Sequence, residues 1–391
     1  MIDRGSANPF IRYRSHLDVY AAARAAGWSD DDFVALVHRL DDHVAAVEGH
    51  GFSVTPLSDQ PSLAAATGAA RVWVKDDSGN VGGSHKARHL FGVMLALAVD
   101  GDDGSELAIA SCGNAALAAA VVARAEERPL RVFIPTWADA AVVERLAGLD
   151  ARIEVCERRP GESGDPTYLR FLEAVDEGAT PFSVQGTITH RTIDGGRTLG
   201  WEAAEQLADA GASGPLHVFL QVGGGALGTA VAQAFGTAIA SGWIDVDPAY
   251  HPVQTEACAP FRRAWLLAMD AAGSDDPVDL AGRGELLGGV LAHLDERPDA
   301  FMWPWDPVGT SAASGILDDV VYDWRVLLEE TLRSGGWPVV VSEERVLEAH
   351  RLGREATGID VCATGTAGLA GLLETAVEHP ALVFFTGVQR S

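Results

Sequence analysis

KDDSGNVGGSHKARHL, residues 75–90, is the stretch on which the reading of this chain turns. It starts where the strand-like run RVWVK (71–75) ends, crosses a loop of Gly, Asn and Ser, and opens a helical pattern at Lys86 that runs to about Val99. A side chain in the first turn of a helix faces the positive end of the macrodipole, which favours a neutral amine. The neutral amine is the form that adds to a carbonyl. Taken alone, the loop is equally an ordinary strand-to-helix turn with a solvated lysine. Composition adds a second argument. Lys and Arg total 29, yet only Lys75 and Lys86 are lysines. A general preference for arginine accounts for most of this, but not for both lysines falling in one short stretch. Arginine replaces lysine in most ion pairs but forms no imine, because its guanidinium stays protonated. Lys86 is therefore a candidate for amine chemistry. Lys75, in or just after a strand, is given none.

Working outward, apolar runs alternate with helical patterns. LAIAS (107–111), LRVFIP (130–135), RIEVC (152–156), HVFLQV (217–222) and ALVFF (381–385) read as strands. Helices are expected at 115–126, at 139–148 and from 227. Short continuous apolar runs between helices predict buried parallel strands in an α/β fold. Residues 1–55 read as a helical lead-in. Ser29 offers an N-cap, with Asp30, Asp31 and Asp32 in the first turn and Phe33, Val34, Leu36, Val37, Leu40 and Val44 at helical spacing. The segment 270–310, rich in Asp, Gly and Pro, is expected to be a long surface connection.

The net charge of −26 disfavours nucleic acid and anionic membrane surfaces as partners. It also means that an anionic ligand must be held by backbone N–H groups or a few cations. Cys112, Cys156, Cys258 and Cys362 form no CxxC pair, so neither a disulfide framework nor a metal site is expected. The opening MIDRGSANPF has no apolar leader segment, and no run is long enough to span a bilayer. The expectation is a cytoplasmic protein.

Three further stretches carry chemistry, the first two at strand-to-helix junctions and the third at the end of the last strand. SCGNAA (111–116) sets small residues and Asn114 at a helix start, an anion- and hydroxyl-binding corner or simply an N-cap. VGGGALG (222–228) lets successive backbone N–H groups converge on a phosphate. Its spacing is not GxGxxG, and no P-loop is present, which disfavours a nucleotide-dependent enzyme. FFTG (384–387) puts Thr386 at the carboxyl end of the last strand, where α/β sheets place ligands. His85, beside Lys86, is a further donor to a phosphate.

In this order the chain resembles the fold type II pyridoxal phosphate (PLP) enzymes, the tryptophan synthase β superfamily, and is most similar to threonine synthases and threonine dehydratases. GGSHKAR looks like their lysine region, and SCGNAA like their S-x-G-N loop. VQTEACAPFRRAW (253–265), SAASGILDD (311–319), VVVSEERVLEAHRL (339–352), ATGTAGLAGLL (363–373) and LVFFTG (382–387) look like successive threonine-synthase segments. The resemblance implies two domains, each a mostly parallel sheet flanked by helices, with the cofactor in the cleft between them. Residues 1–89 and 191–391 would form the large cofactor-binding domain and 90–190 a small mobile one. It implies that Lys86 holds PLP as a Schiff base and that Asn114 bonds the cofactor's 3′-hydroxyl. Gly223, Gly224, Gly225, Ala226 and Leu227 would cradle the phosphate. Thr386 would meet the pyridine nitrogen, with Thr364 as second choice. Ser111, Cys112 and Gly113 would lie near a substrate carboxylate.

Two features depart from threonine synthase. Ala87 stands where that branch has Asp. In THRTIDGGRTLGWE (189–202), which is similar to its substrate-phosphate region, Thr192 occupies the place of an Arg, Arg191 is displaced by one residue, and Arg197 replaces a Lys. The expected function is thus a PLP-dependent lyase that deaminates a small hydroxy- or β-substituted amino acid, as serine and threonine dehydratases do. The alternatives are a threonine synthase-like or other replacement enzyme and, further off, a non-catalytic PLP-fold binding protein. Analogy with relatives adds a homodimer as the expected assembly.

Overall fold

The computed structural model describes residues 2–390 except 103. Its strands are β1 (Leu57–Asp59), β2 (Val72–Asp76), β3 (Leu107–Ala110), β4 (Leu130–Pro135), β5 (Arg152–Cys156), β6 (Thr180–Pro181), β7 (Ser213–Gln221), β8 (Asp245–Thr255), β9 (Val339–Val341) and β10 (Ala381–Phe385). The chain forms two compact units, residues 1–54 with 80–198 and residues 55–79 with 199–391.

The first unit holds a four-stranded parallel sheet in the order β5-β4-β3-β6. The lead-in helix Asp30–Glu48 starts at a reciprocal cap: Ser29 Oγ accepts from the Asp32 N–H, and Asp32 accepts from the Ser29 N–H. Its buried face is Phe33, Leu36, Val37, Leu40 and Val44. The helices Lys86–Asp100 and Arg191–Asp209 cross at near backbone contact. A Cβ on Gly195 would stand 2.2 Å from the Arg88 carbonyl oxygen and 2.9 Å from the Gly92 Cα. The obstructing atoms are backbone and cannot rotate away. Gly195→Ala is therefore expected to cost about 3 kcal/mol or more through overpacking, read as a lowered denaturant midpoint; a loss within about 0.5 kcal/mol, the range of an ordinary surface change, would refute the crossing.

The second unit holds a six-stranded sheet, β1-β2-β10-β7-β8-β9, parallel except for the antiparallel edge strand β1. Helices Ala226–Ala240 and Ala367–Glu374 cover it with almost wholly buried apolar faces. The expected surface connection at 270–310 is instead largely helical, with helices Pro277–Gly282 and Gly284–Glu296. The Asp and Pro that suggested a loop are start signals. Asp276 caps the first helix by accepting from the N–H groups of Val278 and Asp279, and Pro277 fills its first position. Leu287, Val290, Leu291 and Leu294 bury the face of the second.

Within this sheet, His251 on β8 is fully buried. Its Nδ1 lies 3.1 Å from the Trp337 carbonyl oxygen and its Nε2 2.8 Å from Nδ1 of His217 on β7. The carbonyl only accepts, so His251 carries its proton on Nδ1 and accepts from His217 at Nε2. Burial, reinforced by His217, pushes the His251 imidazole down to about 3. An imidazole neutral when folded and titrating near 6.5 when unfolded contributes stability that is present above about pH 6.5 and lost as pH falls toward 3. Stability measured by urea unfolding is expected to decline through that window. His251→Phe should flatten the decline, and an equally steep slope in that variant would count against His251.

Candidate active site

Lys86 is the first residue of the helix Lys86–Asp100, preceded by His85 with no side-chain cap. It is partly exposed, while His85, Ala87 and Arg88 around it are buried. The approach to it is fixed by Asn80, whose Nδ2 donates to the Ser84 carbonyl at 2.9 Å. Ser84 is fully buried, and its Oγ has no hydrogen-bond partner among the described residues. A polar group in want of a partner two residues from Lys86 is what a bound polar ligand would satisfy. One turn on, His89 donates Nδ1–H to the Thr192 carbonyl at 2.8 Å. Burial, with the Lys86 charge next in weight, pushes His89 down to about 3, so a neutral ring stands behind the lysine.

The SCGN corner follows β3 in the same unit. Ser111, Cys112, Gly113 and Asn114 are all partly exposed. The N-cap of the helix Asn114–Ala125 is Gly113, and Asn114 is its first helical residue. The capping explanation for Asn114 therefore falls away. The helix start has no side-chain cap, which suits an anion there.

In the second unit, the glycine loop and Thr386 lie at the same end of the sheet, after the adjacent parallel strands β7 and β10. Gly225 has φ 93°, left-handed backbone that favours glycine, and opens the helix Ala226–Ala240. A Cβ on Gly223 would stand 2.4 Å from Asp318 Oδ2 and 3.1 Å from the Ile316 Cα; one on Gly225 would stand 2.9 Å from Val321 Cγ1. The loop has no room for side chains of its own at Gly223 and Gly225, where Asp318 and Val321 pack against it, so what it offers a phosphate is backbone N–H groups and a helix N-terminus. The residues present therefore fit PLP. Thr386 is buried and accepts a hydrogen bond from Gln221. Thr364 is partly exposed and accepts from the Gly315 N–H at 3.1 Å. Gln221 did not stand out in the sequence; a polar residue closing the apolar run HVFLQ just before the glycines is the signal that would have found it.

Lys75 is fully buried in the second unit. Its ammonium sits 2.6 Å from the Thr55 carbonyl oxygen, 2.7 Å from Glu202 Oε2 and 2.9 Å from Gln206 Oε1. Glu202 is equally buried, and the same oxygen accepts from the Thr55 N–H and hydroxyl. Three acceptors around one nitrogen match the three donors of an ammonium. Lys75 persists for this structural reason, and Lys86 is left as the lysine in a setting for chemistry.

Among the described residues no group of three or more His, Cys, Asp or Glu is arranged to hold a metal ion, and no helix is long and apolar enough to cross a membrane.

Two sheets of this topology, each ending in a ligand-ready turn, with a partly exposed lysine at a helix start, define a fold type II PLP enzyme. The chain belongs to the pyridoxal-phosphate dependent enzyme family, whose model matches residues 50–386, and PLP is its cofactor. Comparison with curated protein sequences gives no match. Among solved structures it is similar to the T.th. threonine deaminase, with 21% identity and a TM-score of 0.65 over 91% of this chain and 98% of that one. It is also similar to diaminopropionate ammonia lyase from Escherichia coli, with 16% identity and a TM-score of 0.66 over 99% and 91%. Maize serine racemase gives 18% and 0.64 over 91% and 94%. These likenesses are of fold.

Proposed function

We propose that the protein is a PLP-dependent lyase that eliminates a β-substituent from a small amino acid and releases ammonia. The observation that carries this is the state of the two arginines in the stretch 189–202. Arg197 is paired with Asp194 and, at 2.5 Å, with Asp18; Arg191 is paired with Asp100 at 2.8 Å. Thr192 is fully buried, and Gly196 packs where a Cβ would meet the His89 ring at 2.2 Å. This stretch is thus committed to helix packing and ion pairs, which argues against a phosphorylated substrate and hence against the synthase alternative. The deaminase and ammonia-lyase neighbours support the same side.

PLP, when bound, supplies the electron sink. Lys86 would be its attachment point and would also serve as the base for the proton on the substrate's Cα. The partly exposed turn Ser111–Cys112–Gly113 at an uncapped helix start would receive the substrate carboxylate, and Asn114 would hold the ring hydroxyl. Gly223, Gly224, Gly225, Ala226 and Leu227 hold the phosphate, with His85 as a further donor. Thr386, a hydroxyl rather than a carboxylate, would meet the pyridine nitrogen. The neutral His89 fixes the helix behind Lys86 and takes no part as an acid. The deciding assay measures 2-oxo acid from serine, threonine, diaminopropionate and O-phosphohomoserine. Turnover of at least one of the first three is expected. Threonine and inorganic phosphate formed from phosphohomoserine, with no 2-oxo acid from the others, would replace this reading with the synthase.

A further inference from the structure

Glu48 is the last residue of the lead-in helix Asp30–Glu48, ahead of the region matched by the family. A carboxylate is unfavourable there, because the last turn of a helix carries the negative end of its dipole, and no basic residue in that turn offsets it. The surroundings supply a reason. The side chain is only 14% exposed. Oε1 accepts from the Gly82 N–H at 3.2 Å, and Oε2 pairs with Arg145 of the helix Ala140–Gly148 at 3.0 Å. Gly82 is buried in the loop that leads to Lys86, in left-handed backbone at φ 64°. A Cβ there would stand 3.4 Å from the Ala118 Cα, in the helix Asn114–Ala125.

Two hydrogen bonds shape this loop from within: Gly83 N–H to the Asn80 carbonyl at 2.8 Å, and Asn80 Nδ2 to the Ser84 carbonyl at 2.9 Å. The bond to Glu48 is of another kind, since it ties the loop to a separate helix. That helix also grips the Asn114–Ala125 helix, whose C-cap residue Glu126 lies 3.1 Å from Arg39 Nη1 and 2.8 Å from His43 Nδ1. The lysine loop and the Asn114 helix are thus both fastened to the lead-in helix.

We propose that Glu48 is a positioning residue: its carboxylate pins the loop through Gly82 and so sets where the Lys86 amine meets the carbonyl of PLP. This rests on the reading that Lys86 anchors PLP, and adds the residue that presents the anchor.

The test compares PLP with pyridoxine 5′-phosphate, which keeps the ring and the phosphate but carries an alcohol in place of the aldehyde and cannot attach to a lysine. The ratio of the two dissociation constants isolates attachment. In Glu48→Ala the preference for PLP is expected to fall about tenfold, the weight of one lost hydrogen bond, with pyridoxine phosphate bound as by the parent. Amide hydrogen exchange over residues 80–85 of the cofactor-free protein should speed up. Glu48→Gln keeps an oxygen for Gly82 and loses the charge facing Arg145; it should restore both the preference and the slow exchange. Equal weakening of both ligands would make Glu48 a general prop and overturn the proposal. So would no change in Glu48→Ala, or a Gln variant no better than Ala, which would assign the effect to Arg145. If Lys86→Ala keeps the parent's preference for PLP, the anchor itself is misassigned; a preference lost in Lys86→Ala but kept in Glu48→Ala faults Glu48 alone. Should Glu48→Ala not fold, Glu48→Met, which keeps the length and removes both oxygens, carries the same expectations.

Discussion

The Lys86→Ala protein is expected to fold normally, to stay colourless when PLP is added and, for the proposed lyase reaction, to form 2-oxo acid at least about a thousandfold more slowly than the parent. A general base alone contributes a factor of roughly 10²–10⁴, and this substitution would also remove the proposed anchor of the cofactor. Folding should hardly change. The side chain is partly exposed at the first position of a helix, where alanine is well tolerated. No second lysine can take over, because Lys75 is fully enclosed. Visible absorbance on titration with PLP, alongside the oxo-acid assay, checks both halves. A yellow variant would show that the cofactor is held elsewhere, and a colourless but active one would remove Lys86 from the mechanism.

The largest effect on stability is expected at Lys75 and Glu202. Both side chains are fully buried, and their charges meet at 2.7 Å. Removing one partner strands the other charge in the interior, which costs about 3–5 kcal/mol. Lys75→Met and Glu202→Leu should each lower the urea midpoint accordingly. The double variant should lose less than the sum of the two, since it leaves no charge uncompensated. Lys75→Arg should also destabilise. A flat guanidinium cannot place three donors from one nitrogen onto Thr55, Glu202 and Gln206 in an enclosed space. Single variants within about 1 kcal/mol of the parent, the range of an exposed pair, would mean that the pair is not buried in solution.

Much of the fold was legible because its signals are local. The runs LRVFIP, RIEVC and ALVFF are strands over the residues named, and each glycine-rich junction does join a strand to a helix. What escaped depends on partners far along the chain. Strand β8, DVDPAYHPVQT, contains two prolines and little apolar alternation. It is tolerated because β9 pairs only with Val253–Thr255, so no strand pairs with that edge of β8 along Pro248 and Pro252. The role of Lys75 lies in Glu202 and Gln206, 127 and 131 residues away, and no spacing rule reaches that far. Of the proposed site, the lysine and the loops were visible as motifs. The contact of Gln221 with Thr386 was not, since it forms only when β7 and β10 lie side by side.

The enclosure of Lys75 has a practical consequence. With its ammonium shut away and Lys86 the only other lysine, an amine-selective acylating reagent meets one reachable lysine in the native protein, and that lysine is the proposed cofactor anchor. Labelling at Lys86, followed by mass spectrometry, would therefore read cofactor occupancy directly: protected when PLP is attached, modified when it is absent. The preference for arginine over the rest of the chain, inert to such a reagent, turns a compositional bias into a selective chemical handle that needs no engineering of the surface.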